Sequence, residues 1–139
     1  MTCKMKTLKI ILVDDNDAFR KALKMLLEKQ YHAIVIGEVS NAIEFLKLSY
    51  QNADIIFMDI MMPEINGIKL AKKTIWEHNE LKLIAITMHT EKVYLTSLVE
   101  AGFRGCIFKN NLFQELPIAI ETVLKGKLFF PSKLSINEI

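Results

Sequence analysis

The chain has 139 residues, 51% of them apolar and 24% charged, with a formal net charge of +2. That length suits one domain with a single good core, and so small an imbalance of charge points to neither nucleic acid nor an anionic membrane as a partner of this chain alone. No apolar run reaches the roughly 18 residues of a membrane span, and residues 1–9 lack the apolar stretch of a secretory signal. Cys3 and Cys106 form no disulfide framework and read as reduced thiols of a cytoplasmic protein.

Residues 8–13 (LKIILV) are a short apolar run whose length and β-branched content predict a buried strand. The run ends in Asp14-Asp15-Asn16-Asp17. Helical spacing follows, with Phe19, Leu23, Leu26 and Leu27 on one face and Arg20, Lys21, Lys24 and Glu28 on the opposite, solvent face. Residues 33–39 (AIVIGEV) predict a second strand, and Ser40 or Asn41 can cap a helix to about Leu48. Residues 53–58 (ADIIFM) predict a third strand that stops at Asp59. Pro63 and Gly67 punctuate the loop after it, and Ile68, Ala71, Ile75 and Trp76 then keep helical spacing. Residues 83–86 predict a fourth strand ending at Thr87, followed by a short helix over 93–101 closed by Gly102. Residues 105–108 predict a fifth strand ending at Lys109. Leu112, Leu116, Ile120, Val123 and Leu124 stripe a last helix, which Pro117 suggests begins later than its stripe, since proline suits the first turn. Residues 127–139 predict a tail with no sixth unit.

Five alternating strand–helix units imply a parallel sheet with right-handed crossovers and helices on both faces. Ligands of such sheets bind beyond the carboxyl ends of the strands. Asp14 and Asp15 follow the first strand, Asp59 the third, Thr87 the fourth and Lys109 the fifth, so all five converge at that edge. Three carboxylates brought together repel, and a hard cation with oxygen ligands relieves the conflict; Mg²⁺ typically takes one or two carboxylates, water and a phosphate oxygen. A cation, the Lys109 ammonium and the Thr87 hydroxyl together suit a phosphoryl group. Asp59, between the acid pair and the lysine, is the candidate nucleophile for an aspartyl phosphate.

VDDN at 13–16, MDIMMPEING at 58–67, ITMH at 86–89 and GCIFK at 105–109 resemble the receiver domains of two-component response regulators. The resemblance covers residues 8–126 and implies a flavodoxin-like (βα)5 fold of strand order 2-1-3-4-5, with residues 1–126 as the receiver. It implies phosphorylation of Asp59 by a sensor histidine kinase or phosphotransfer protein. It also implies Mg²⁺ on Asp15, Asp59 and the backbone carbonyl of Met61, with Asp14 acting through water, Lys109 pairing with the phosphoryl group, and Thr87 moving toward it. Within the family the ITMH run, Asn110 and the ending VLKGKLFFPSKLS are most similar to the NarL/FixJ branch, whose members usually continue into a LuxR-type helix-turn-helix. DNA binding is expected only with such a domain, and a homodimer is compatible with the resemblance. Cys106 departs from the pattern, because that position usually carries Tyr or Phe; the expectation is a normal phosphoacceptor whose conformational relay runs through Thr87, Met88 and residues 88–101. A haloacid dehalogenase-type phosphatase would need a second aspartate two residues after its nucleophile and a cap domain. A pseudo-receiver would lack part of the acid, threonine and lysine set. Neither matches these residues.

Overall fold

The computed structural model describes residues 7–62, 66–88 and 95–131. Expectations for Cys3, Pro63, His89, Val93 and residues 132–139 lie outside that range. Five strands form one parallel sheet in the order β2-β1-β3-β4-β5: β1 Leu8–Val13, β2 Ala33–Val39, β3 Ile55–Asp59, β4 Leu83–Thr87 and β5 Gly105–Phe108. Every residue of β3, β4 and β5 is buried, which is why the sequence writes them as near-continuous apolar runs rather than alternating ones. β3 and β4 each run one residue further than expected, so Asp59 and Thr87 are the last residues of their strands.

Alternate side chains of each strand feed two cores. On one face Ile10, Leu12, Ile55, Phe57, Ile84, Ile86 and Ile107 pack against α1 (Asp17–Gln30) and α5 (Leu112–Leu124). On the other, Ile11, Val13, Ile56, Met58, Ala85, Cys106 and Phe108 pack against α2 (Ala42–Leu46), α3 (Gly67–Glu77) and α4 (Leu95–Ala101). Each large side chain taken out of water contributes roughly 1.5–3 kcal/mol, which is what holds the helices to the sheet. Among the described residues no helix is long and apolar enough to cross a membrane.

The helices begin and end for local reasons. Asn16, Asn41 and Asn66 cap α1, α2 and α3, their side-chain oxygens accepting from the N–H groups of Phe19 (3.0 Å), Glu44 (2.8 Å) and Lys69 (2.9 Å). α2 stops two residues short of the expected Leu48, because the N–H groups of Lys47 and Leu48 turn to the tighter acceptors Glu44 and Phe45. Gly102 ends α4 at φ +97, as its sequence position predicts.

α5 corrects an expectation: it begins at Leu112, with Pro117 inside it rather than in its first turn. Pro117 cannot donate to the carbonyl of Phe113, but both residues lie on the solvent face, where water can satisfy that oxygen. Burial of Leu112, Leu116, Ala119, Ile120 and Val123 outweighs the one missing bond.

Among the described residues after α5, part of the segment belongs to the sheet. The Phe129 N–H donates to the Arg104 carbonyl and the Phe129 carbonyl accepts from the Cys106 N–H, both at 2.9 Å. Phe129 packs against one core and Phe130 against the other, so the pair straddles the edge of β5. Gly105 permits this approach, because a Cβ there would lie 2.9 Å from the Phe129 oxygen.

Candidate functional site

β1 delivers the acid pair. The Asp14 N–H extends the strand's pairing by donating to Val39 (3.1 Å), and the chain then turns sharply into α1. The turn is held by the Asp14 carboxylate, which accepts from the Asn16 N–H at 2.8 Å, while Asn16 itself caps the helix. Asp14 is buried and Asp15 exposed. Arg20, one turn into α1, reaches back to donate to the Asp14 backbone carbonyl at 2.6 Å. Its expected place on the solvent face is corrected here: its side chain is only 11% exposed, because it also pairs with Asp17 (2.7 Å) and Glu38 of β2 (3.1 Å).

β3 delivers Asp59, which is buried and accepts a hydrogen bond from the Met61 N–H at 2.9 Å. α3 starts directly against this corner. The Gly67 N–H donates to the Ile60 carbonyl, and a Cβ at Gly67 would stand 2.6 Å from the Asp59 carbonyl oxygen and 2.7 Å from the Ile60 Cα. Only glycine allows the helix so close to the strand end. Thr87 ends β4 fully buried, paired in register with Phe108. Lys109 follows at once, its Nζ 2.9 Å from Asp14 Oδ2 and 3.7 Å from Asp59 Oδ2. The Phe19 ring covers that ammonium at 4.2 Å from its centroid.

The charges do not balance. Carboxylate oxygens of Asp14, Asp15 and Asp59 lie within 4.8 Å of one another around one lysine. Burial pushes the Asp59 carboxyl up to about 6, with the neighbouring Asp14 and Asp15 adding to the rise; the Met61 N–H and Lys109 oppose it without cancelling it. At such spacing each like-charge pair costs about 4 kcal/mol near a protein surface. A hard divalent cation fits this donor set, three carboxylate oxygens in a partly open corner, and it would remove the repulsion.

The structure brings together the predicted Asp14, Asp15, Asp59 and Lys109, with Met61 tied to Asp59 through its backbone and Thr87 on the same sheet edge. The contact of Arg20 with the Asp14 carbonyl, the cover of Phe19 over Lys109 and the close approach at Gly67 do not stand out in the sequence pattern. An arginine three residues after Asp17 and one turn after the acid pair was the available signal for the first.

Residues 10–121 match the family of response regulator receiver domains. The chain belongs to that family. It is 31% identical over 127 residues to the response regulator UvrY of Escherichia coli, a match spanning 91% of this chain and 58% of that protein. It is 28% identical over 135 residues to the transcriptional regulatory protein DegU of Brevibacillus brevis, spanning 95% of this chain and 56% of that protein. Among solved structures, a LuxR-family two-component response regulator from Aurantimonas superposes with a TM-score of 0.80 at 28% identity, covering 89% of each chain. The receiver thus spans a little under 60% of the length of these curated relatives. Cys106, where the family pattern has an aromatic ring, is wholly buried in β5 and its thiol is pushed up to about 12, chiefly by burial, so it is inert at neutral pH.

Proposed function

We propose that this receiver is a phosphorylation-controlled switch whose acceptor is Asp59. The observation that carries the reading is the position of the Asp59 carboxylate, buried at a strand end within reach of the acid pair and 3.7 Å from Lys109, which also contacts Asp14. Asp14, Asp15, Asp59 and the Met61 carbonyl would hold Mg²⁺. When bound, the cation neutralises the carboxylates and the charge that develops on a transferring phosphoryl group. An Asp59 oxygen attacks phosphorus; the phosphorus–nitrogen bond to a phosphohistidine of a sensor kinase or phosphotransfer protein breaks, and the imidazole leaves with the electron pair. Lys109 balances the added negative charge, and the Thr87 hydroxyl donates to a phosphoryl oxygen after moving toward it. The protein supplies position and charge rather than turnover, so phosphomonoesters are not substrates.

The place of action is the cytoplasm. The output is control of transcription through an effector domain of the kind found in the relatives, with DNA bound by that domain and by a homodimer rather than by this receiver alone. Because Cys106 cannot fill space as a ring would, the relay runs through Thr87, Met88 and α4, a route that includes residues 89–94 outside the described range. Mass spectrometry after incubation with acetyl phosphate and Mg²⁺ tests the assignment. One phosphoryl group is expected on the wild type, mapped to Asp59, and none on Asp59→Asn. Undiminished uptake by Asp59→Asn would overturn it.

A further inference from the structure

Arg20 engages three acceptors at once: Nη1 donates to the Asp14 carbonyl (2.6 Å), Nη2 to Asp17 (2.7 Å) and Nε to Glu38 (3.1 Å). Lys24 grips the other oxygen of Glu38 at 3.2 Å, so that carboxylate is itself fixed. The clamp therefore runs from β2 through α1 to the turn after β1. Its shortest contact is to the oxygen of the peptide group joining Asp14 to Asp15. A peptide group is planar, so holding its oxygen fixes the direction in which Asp15 leaves the turn. Asp15 is exposed, so the course of the backbone beneath it limits where its carboxylate can reach. On the other side of Asp14 the Asn16 N–H and Lys109 hold the carboxylate itself.

From this geometry we infer that Arg20 is a positioning residue for the cation site, with Glu38 as its anchor. It would act through the Asp14 carbonyl, presetting the acid pair, rather than as a ligand of the cation. The inference rests on the metal site proposed above. Only a guanidinium spans these acceptors, since its five donors sit in a rigid fork, whereas a lysine offers one charge at one point. Groups that orient metal ligands from behind commonly govern affinity by 10- to 100-fold.

The test is Mn²⁺ binding to folded, unphosphorylated protein, followed by the electron paramagnetic resonance of the free ion and by competition with Mg²⁺. The Kd is expected to rise about tenfold in Arg20→Lys, in the range such orienting groups govern, and less in Glu38→Gln, which keeps the bond to the Asp14 carbonyl. At saturating cation the acetyl phosphate reaction of Arg20→Lys should return to the wild-type rate. Amide exchange at residues 14–16 should quicken in the metal-free variant. A role in folding alone would lower the melting temperature and leave the Kd of the folded protein unmoved; an unchanged Kd in Arg20→Lys overturns the inference while leaving the metal site standing. A wild type that binds neither ion overturns both.

Discussion

At the β1 corner of the site the side chains are tied from several directions, whereas at the β3 corner Asp59 has one backbone donor and a lysine at 3.7 Å. Asp14 receives the Asn16 N–H and Lys109, and its carbonyl receives Arg20. Asp59 is buried with fewer partners, and its carboxyl is pushed up to about 6. The difference separates two tasks. On the reading proposed above, these bonds hold the acid pair as part of the scaffold, and Asp59, the proposed acceptor, is the group whose ionised form the fold disfavours. A divalent cation, on the same reading, would stabilise the ionised Asp59 that burial and the neighbouring carboxylates disfavour.

The comparison breaks most severely at Gly67, which lets α3 approach Asp59. Gly67→Ala is expected to destabilise the receiver by about 3 kcal/mol, because the new Cβ meets backbone rather than a side chain that can swing away. Urea denaturation reads this directly, and a cost under about 1 kcal/mol would show that the corner yields.

Asp59→Asn should act in the opposite direction. Raising a carboxyl from 3.8 to about 6 on folding means that the folded state binds more protons than the unfolded state between those values. The contribution of this group to stability is therefore most favourable below about pH 4 and is lost as pH rises through about 6. In metal-free protein at pH 8, Asp59→Asn is expected to gain about 2 kcal/mol, the shift discounted for partial solvent contact. At pH 4 the gain should vanish. Melting curves at both pH values, with and without Mg²⁺, test the sign; an Asn variant less stable than the wild type at pH 8 without Mg²⁺ would contradict it.

At the β1 corner, Asn16→Ala removes a helix cap, with an expected loss of about 1 kcal/mol measured by chemical denaturation. The smallest effect is at the Phe19 ring over Lys109. A double-mutant cycle of Phe19→Leu and Lys109→Met is expected to show a coupling of about 0.5–1 kcal/mol. Zero coupling would mean that the ring only fills space.

The edges of the sheet show how far local sequence carries. The edge strand β2 was legible as a strand but not in its register, where Ile10 pairs with Val35 and Ile11 with Gly37, leaving Ile36 as a bulge. At the other edge, Phe129 was read as part of a tail because a single bridge has no periodicity to detect. Pro117 misled for a related reason: its local penalty is real, but the burial that outweighs it comes from strands distant in sequence.

By itself the sequence determined the five alternating units and the residues at their carboxyl ends, because buried parallel strands demand continuous apolar runs and the site residues interrupt those runs at their ends. Asp14, Asp15, Asp59, Thr87 and Lys109 were all legible in that way. Tertiary structure alone decided which charges oppose one another and how strongly. The closer pairing of Lys109 with Asp14 (2.9 Å) than with Asp59 (3.7 Å), the inward turn of Arg20, the ring of Phe19 over the ammonium and the raised carboxyl of Asp59 all depend on groups that meet only when the strands are laid side by side. Electrostatic energy depends on distance and burial, and neither quantity exists along the chain until it has folded.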